Sequence, residues 1–552
     1  IYLAAVLILL AGFPALAHKP DQIDPAKTIR AVRCQIESPR IDGRLDDEVW
    51  KRAPSYSRFI QGIPDDGEPA TEKTLVQFAY DKDALYVAMT LHNSDPDLVL
   101  GNLTRRDQTY NVDRFRIEID AHHDHQTAYM FELSAAGVQR DAHITKNGRG
   151  FDGNWDAVWE GRVSSDAEGL TAEWRIPHQA LRFQQAEHYT WGINIVRSMP
   201  LKHEMVFWSR IPRNESGWVS RFGHLEGIED ISPAGAVEVL PYTVGRTVLH
   251  PGSDDDTDLT ARVGADVRYD VTHSTSINAS INPDFGQVEA DPAQLNLTVF
   301  ETFQSERRPF FVEGAEMFRT PIGLFYSRRI GRHPGYLEVP DGWEESDRPE
   351  LTTVLGAVKL TGKTQSQTTF GLMEAVTASE HVGVDSAGTL RNVLIEPRSN
   401  YLAGRISQDV MGSSQVGLLA TALNRSRGDD AWSAGIDWKL LTPDNDYELT
   451  GQIAGSQTGV GRGWGSDLEI AKQSGRWQGE FSLKAYSPDF SINEMGFLAR
   501  PDLIEPRFEI DYANRDPGEL FRYSNYWLSH WRRWNFDDVN LEEAVEIGTW
   551  HQ

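Results

Sequence analysis

The sequence predicts an all-β protein in which an antiparallel β-sandwich precedes a large antiparallel transmembrane β-barrel. Short apolar runs separated by turn residues recur up to residue 231, which is typical of a sandwich. Beyond residue 236, strands alternate strictly between apolar and polar residues. In the run from Leu259 to Val271, every odd position is apolar. Such alternation predicts strands with one apolar face.

Three segments are expected along the 552 residues. Residues 1–17 are apolar and end in Ala-Leu-Ala, which is typical of a secretory signal peptide and too short for a spanning helix. This peptide is expected to lack its beginning, since no basic region or Met precedes it. The sandwich is expected over residues 28–231 and the barrel over residues 236–552. The barrel is expected to be incomplete at its C-terminal end, because no aromatic-ending amphipathic strand closes the sequence.

Charge and cysteine content exclude several classes of protein. The formal net charge of −27 argues against nucleic acid as a partner, since phosphate binding needs clustered Lys and Arg. An anionic polymer is disfavoured as a general ligand for the same reason. Cys34 is the only cysteine, so no internal disulfide can form. No run beyond the leader reaches 18 apolar residues, which excludes a helical membrane protein.

Eight strands and one short helix are predicted in the sandwich segment. Leu45, Val49 and Trp50 share one helical face, so Trp50 is predicted to anchor the core. The predicted strands run over residues 75–80, 85–91, 115–120, 128–133, 158–163, 170–176, 191–196 and 206–210.

The later strands favour a membrane barrel over a soluble β domain. Runs over residues 432–440, 447–453 and 477–485 place apolar side chains on one face and charged or small ones on the other. A barrel needs an apolar exterior and a polar lumen, whereas a soluble domain would need a second sheet over each apolar face. Six tryptophans are predicted as interfacial anchors: Trp432, Trp464, Trp477, Trp527, Trp531 and Trp534.

Residues 282–316, which we call the insert, interrupt this alternation. Pro309, Phe310 and Phe311 favour a loop folded into the barrel. The acidic and basic residues of the insert predict ion pairs in a polar lumen, with a constriction or docking surface for substrate as the functional alternative. The predicted lumen charges are Glu306, Arg307, Arg308 and Glu313.

Two family resemblances cover most of the chain. The stretches IDGRLDDEVWKRAP (41–54), TEKTLVQFAYDKDALYVAMTLHN (71–93) and DRFRIEID (113–120) resemble the carbohydrate family 9 binding domain-like module. The insert, with NYLAGRI (400–406) and MGFLAR (495–500), resembles the outer-membrane domain of unknown function 5916, which commonly follows that module.

The first resemblance implies a sandwich that binds sugars, in some members with calcium. Sugar rings stack on aromatic side chains, and polar side chains form hydrogen bonds with the sugar hydroxyl groups. Trp155 lies among Gly, Asn and Asp, where it is either a ligand platform or a loop anchor. The candidate sugar-binding residues are Trp155, Trp208 and Trp218, with Asn154, Arg106, Asp107 and Asp113 as polar partners.

A second set of polar residues is a weak candidate for calcium. Asp120 and Asp124 flank a His-rich turn that is either a cation site or a solvated hairpin tip. No other cofactor is predicted.

Three functions fit these observations. The favoured hypothesis is a bacterial outer-membrane protein whose sandwich binds carbohydrate and whose barrel anchors or transports, with membrane lipid and other envelope proteins as partners. The second is a hydrolase of O-glycosyl bonds in carbohydrate catabolism, since two suitably placed carboxylates could lie among the 81 Asp and Glu residues. No catalytic residue is predicted, because the common hydrolase motifs are missing. The third is a structural or export-associated envelope protein without a sugar ligand.

Overall fold

The computed structural model describes residues 27–35, 37–153, 155–231, 237–249, 257–272, 274–283, 296, 299–335, 344–346, 348–386, 389–516 and 518–552. The predicted signal peptide and Asn154 lie outside these residues. The fold is all-β, with 54% strand and 7% helix, as predicted. Within the described ranges, no helix has the length and apolar character needed to cross a membrane.

The first part of the chain is a two-sheet sandwich with one short helix, α1 (Glu48–Arg52). Its strands are β1 (Thr28–Arg30), β2 (Val32–Arg33), β3 (Ile60–Ile63), β4 (Thr74–Tyr80), β5 (Ala84–His92), β6 (Arg114–Asp120), β7 (Ala128–Ser134), β8 (Gln139–Thr145), β9 (Gly150–Asp152), β10 (Glu160–Ser165), β11 (Gly169–Pro177), β12 (His188–Met199), β13 (Glu204–Phe207) and β14 (Gly223–Glu229). One sheet has the order β1-β14-β12-β6-β7-β8-β9, with β13 also paired to β12 and β3 paired to β13. The other sheet has the order β10-β11-β5-β4-β2.

Alternation along each strand builds the sandwich core. In β6, Phe115, Ile117 and Ile119 are buried between the sheets, while the residues between them face outward. Trp50 is buried, and its Nε1 donates to Glu173 at 3.0 Å, so the predicted core anchor is confirmed.

The second part of the chain is a sheet of 14 antiparallel strands. Its strands are β15 (Val237–Leu249), β16 (Thr257–Thr272), β17 (Thr275–Ile281), β19 (Val354–Lys363), β20 (Thr368–Thr377), β23 (Ser399–Val410), β24 (Ser414–Arg425), β25 (Ala431–Leu441), β26 (Tyr447–Thr458), β27 (Gly461–Lys472), β28 (Trp477–Tyr486), β29 (Leu503–Asn514), β30 (Ser524–Trp534) and β31 (Asn540–His551), paired in that order. A small separate sheet contains β18 (Glu344–Ser346), β21 (Glu380–Ser386) and β22 (Thr389–Glu396). In the described ranges, β15 and β31 are not paired with each other.

The two faces of this sheet are inverted relative to a water-soluble fold. On the outer face, Val263 and Ile436 expose 68% and 55% of their surface. On the inner face, Ser433, Asp437 and Gln452 are buried. An apolar outer face opposite an inner face with buried polar residues matches the predicted polar interior.

The insert folds onto the polar inner face through the helical turn α2 (Pro309–Val312). The Lys359 ammonium of β19 donates to the main-chain oxygens of Phe310 and Glu313. Shortly after the insert, the Ile322 amide donates to Gln452 of β26 at 2.6 Å. Because β19 and β26 are far apart in strand order, the sheet curves around this segment, as expected for a folded-in loop.

The predicted lumen charges form contacts within the insert and, through Glu313, with its surroundings. Arg308 donates to both carboxylate oxygens of Glu306, at 2.6 and 2.8 Å. The amide of Arg307 donates to the same carboxylate at 3.0 Å. Glu313 lies 3.2 Å from Arg268 of β16 and 3.2 Å from Arg182 of the sandwich. Glu313 therefore links the insert to both parts of the chain.

The sandwich docks on the end of the sheet where the connections are short. Lys363 pairs with Asp124 of the sandwich at 2.8 Å and with Asp409 of β23 at 2.6 Å. Gln126 donates to the carbonyl of Ser413 at 2.6 Å. The short turns at this end include residues 364–367, 411–413, 442–446 and 473–476, whereas connections at the opposite end include residues 282–353, 378–398 and 487–502.

A buried ion pair crosses the inner face of the sheet. Arg405 of β23 donates to Asp437 of β25 at 2.7 Å, reaching over Gly417 of the intervening strand β24. A Cβ atom at Gly417 would lie 2.5 Å from the guanidinium nitrogens of Arg405. Because glycine has no side chain, Gly417 leaves the space in which this ion pair forms.

Candidate functional site

Five charged residues form a cluster on the outer face of the first sandwich sheet. They are Arg114, Arg116 and Glu118 of β6, Glu132 of β7 and Arg140 of β8. Strand register brings them together, because Arg116 lies opposite Glu132, and Glu132 lies opposite Arg140. We call this the arginine–glutamate cleft.

Each glutamate in the cleft is buried and faces arginine. Glu132 lies 3.6 Å from both Arg114 and Arg140, and accepts a hydrogen bond of 2.5 Å from Thr109. Glu118 lies 2.9 Å from the Nε of Arg116. Burial raises the pKa of Glu118, while the neighbouring Arg116 opposes that rise. The arginines thus hold two carboxylates in fixed positions.

Aromatic rings form the two rims of the cleft. Trp218 donates its Nε1 to Glu118 at 2.9 Å, and its ring lies 5.6 Å from the Arg116 guanidinium. On the other rim, the rings of Tyr110 and Phe151 are 66% and 51% exposed. Gly148, with a φ of +94°, leaves room for Trp218, since a Cβ there would lie 2.3 Å from the tryptophan Cβ.

At least three buried polar atoms on this face lack a hydrogen-bond partner within the described ranges. They are Nε of Arg116, Oε2 of Glu132 and Nδ2 of Asn194, which lies opposite Glu118 on β12. Buried polar groups normally have hydrogen-bond partners, so each of these atoms keeps an unused capacity to donate or accept. Charged groups flanked by flat apolar rings are typical of sugar recognition.

Of the three predicted tryptophans, only Trp218 lies in the cleft. Trp155 packs on the opposite face of the sheet, 5.0 Å from the ring of Tyr129 and 5.8 Å from that of Phe131. Trp208 is buried, with 6% exposed. These contacts favour packing roles for Trp155 and Trp208, although sugar binding by them stays a prediction.

The predicted polar partners lie apart from the cleft. Arg106 donates to Asp141 and to Asp156, the sequence neighbour of Trp155, at 2.7 Å each. Asp107 lies 3.8 Å from Arg106. Asp113 accepts from the Leu100 amide at 2.9 Å, and burial raises its pKa. These residues form local networks, and their role in binding also stays a prediction.

The cleft was missed by sequence reasoning, although a signal for it exists. In the run from Arg114 to Asp120, charged residues alternate with Phe115, Ile117 and Ile119. A period of two places Arg114, Arg116 and Glu118 on one face, opposite the core. The partners from β7 and β8 become visible only with the strand register.

The weak metal candidates belong to a hydrogen-bonded turn. Asp120 accepts from the amides of Asp124 and His125, at 3.2 and 2.9 Å. Asp124 accepts from Gln126 and Thr127 and pairs with Lys363. In the described part of the chain, no group of three or more His, Cys, Asp or Glu residues has the arrangement of a metal site. Calcium binding stays a prediction that these contacts do not favour.

Asp120 in the same turn is expected to make the stability of the protein depend on pH. Burial, together with the nearby charge of Asp124, raises the pKa of Asp120 from 3.8 to about 7. The folded state thus favours protonated Asp120, and its stabilising contribution is complete below about pH 4 and is lost as pH rises through about 7. We expect Asp120→Asn to reduce this loss of stability, measured as melting temperature between pH 4 and 8.

Asp166→Asn, in an exposed hairpin turn, is the control and should keep the wild-type dependence of melting temperature on pH. If Asp120→Asn also keeps the wild-type dependence, Asp120 is not its cause.

Comparison with known families divides the chain into two matched regions. Residues 41–223 match the family model described as carbohydrate family 9 binding domain-like, and residues 236–548 match the domain of unknown function DUF5916. The second match covers more than half of the chain. No curated protein matches the sequence.

Solved structures similar to the chain fall into two groups. A family 9 carbohydrate-binding module from Caldicellulosiruptor kristjanssonii, in complex with cellotriose, is 18% identical, with 37% of this chain and 96% of that chain covered and a TM-score of 0.27. A protein from Bacteroides uniformis, described as a putative carbohydrate-binding protein, is 14% identical. The match covers 37% of this chain and 99% of that chain, with a TM-score of 0.30. The outer membrane protein opdK from Pseudomonas aeruginosa is 9% identical, with 80% and 98% covered and a TM-score of 0.23. By its family match, the chain belongs to the DUF5916 family, and it carries a carbohydrate family 9 binding domain-like region before that domain.

Proposed function

We propose that the protein binds glycans at the bacterial outer membrane, with the sandwich as the binding part and the 14-stranded sheet as the membrane part. The arginine–glutamate cleft is the observation that carries this proposal. It combines fixed carboxylates and guanidinium groups with exposed aromatic rings, in a region that matches the carbohydrate family 9 binding domain-like model.

The chemistry of the cleft fits a sugar ring. Trp218, Tyr110 and Phe151 offer flat surfaces for the apolar face of a pyranose. Glu132 and Asn194 offer an acceptor and a donor that their own neighbours leave unused. Because these groups are held by the sheet and by ion pairs, little side-chain entropy is lost on binding.

The inverted faces of the large sheet support the membrane location. An apolar exterior around a polar interior suits lipid outside and water or protein inside. In outer-membrane barrels, short turns face the periplasm and long loops face the exterior. The sandwich docks at the short-turn end, which supports a periplasmic position.

The insert and the docked sandwich favour anchoring over open conduction. The described part of the insert contacts Lys359 on the inner face of the sheet, and Ile322, which follows the insert, contacts Gln452 on the same face. At the sandwich end, Arg149 pairs with Glu448 of β26. A cavity of 380 Å³ between the two parts is lined by Arg149, Glu469 and Glu480 among other residues.

A glycan array with the full-length protein in detergent micelles tests the proposed binding. We expect binding to a restricted set of glycans without release of reducing sugar, which would appear if the protein were a hydrolase. An array without any bound glycan would contradict the proposal. The membrane part is tested by fractionation: we expect the protein in the membrane pellet until detergent is added, and solubility without detergent would contradict it.

A further inference from the structure

We propose that the arginine–glutamate cleft selects a sugar unit that carries a carboxylate. The inference rests on the proposed function, because it specifies the class of glycan bound there. It follows from the charge balance of the cleft and from the position of Arg140.

The cleft has one more positive charge than negative charge. Its three arginines face two glutamates, although the whole chain has a net charge of −27. Arg116 is matched by Glu118 at 2.9 Å, whereas Arg114 and Arg140 share Glu132 at 3.6 Å each. A ligand with a single negative charge would complete the balance at this site.

Arg140 is the side chain placed to receive that charge. Arg114 also donates to the carbonyl of Thr109 at 3.0 Å, but the Arg140 guanidinium makes no hydrogen bond within the described ranges. It lies 5.5 Å from the ring of Tyr110 and 5.0 Å from that of Phe151. These rings fix the orientation of the guanidinium and leave its donors for a ligand.

The geometry of a guanidinium explains the preference for a carboxylate. Its parallel N–H groups match the two oxygens of a carboxylate, and such bidentate pairs are stronger than hydrogen bonds between neutral groups. A sugar acid presents this group next to a pyranose ring that can stack on the exposed aromatic rims. A neutral sugar would leave the excess charge of Arg140 uncompensated.

Two kinds of sugar provide this chemistry. Uronic acids carry the carboxylate on the ring, and muramic acid of peptidoglycan carries it on a lactyl ether. A long polyanion is disfavoured by the net charge of the protein, so short oligosaccharides or chain ends are the expected ligands.

Calorimetric titration of the full-length protein in detergent micelles tests the inference. The probes are tetragalacturonic acid, its methyl ester, a short muramic acid-containing glycan strand and neutral cellotetraose. We expect at least one of the two acidic probes to bind at least about tenfold more tightly than the neutral probes, as the strength of charge-assisted hydrogen bonds predicts. Which acidic probe binds identifies the source of the carboxylate.

Arg140→Gln should abolish the preference for acidic over neutral probes. Arg162→Gln, at an exposed position of β10 in the opposite sheet, is the matched control and should keep the wild-type preference. Equal binding of acidic and neutral probes by the wild type, or a preference that survives Arg140→Gln, would overturn the inference. The methyl ester tests it without any change in the protein, should Arg140→Gln fail to fold. If no probe and no array glycan binds, the proposed function itself fails.

Discussion

Replacing Asp437 by alanine is expected to destabilise the 14-stranded sheet by about 3–5 kcal/mol, because it leaves a buried charge without its partner. Arg405 is 4% exposed in its side chain and donates to Asp437 across Gly417. With Asp437 removed, the Arg405 guanidinium stays enclosed by β24 and β25. Unfolding by denaturant in detergent micelles measures the loss of stability.

A double replacement distinguishes the cost of leaving Arg405 buried without a partner from the loss of the Arg405–Asp437 attraction itself. In Arg405→Leu combined with Asp437→Leu, both charges are absent, and we expect much of the stability to return. Glu48→Ala, which removes an exposed ion pair with Lys51, is the surface control and should change little. If Asp437→Ala unfolds at the wild-type denaturant concentration, the pair has no role in stability.

Replacing Trp218 by alanine is expected to weaken glycan binding on the order of 30-fold. Truncation of a central tryptophan in a binding site typically costs about 2 kcal/mol or more. The change removes a stacking surface and also the hydrogen bond to Glu118, which would then be buried with one partner fewer. Titration with a glycan identified on the array measures the effect.

Two further variants locate the effect in the cleft. Trp218→Phe keeps a ring but lacks the Nε1 donor, so an intermediate loss is expected. Trp155→Ala removes a tryptophan from the opposite face of the same sheet and should leave the affinity unchanged. If Trp155→Ala loses more glycan affinity than Trp218→Ala, the glycan binds on the Trp155 face of the sheet and the proposed site is wrong.

Alternation in the sequence was sufficient to predict both parts of the fold. The run from Leu259 to Val271 lies in β16, and its apolar positions Val263 and Tyr269 are exposed on one face, as the alternation predicts. Alternation does not determine how strands close or dock. The junction between Lys363 and Asp124 joins residues far apart in sequence, so no local pattern could reveal it.

The arginine–glutamate cleft was only partly predictable, because residue type does not reveal which face of a sheet is covered. Trp155, Trp208 and Trp218 look alike as aromatic residues near polar ones. In the fold, the first packs on the inner side of the sheet, the second is buried, and the third borders the charged cleft. Glu132 and Arg140 meet through cross-strand register, which the sequence does not state.

The crystal structure of the protein with a bound glycan tests the central claim most directly, since it shows which face of the sandwich sheet holds the sugar. We predict a sugar ring stacked on Trp218 or Phe151, with hydrogen bonds to Glu132 and Arg140. A sugar bound beside Trp155 on the opposite face, with the cleft unoccupied, would contradict the account.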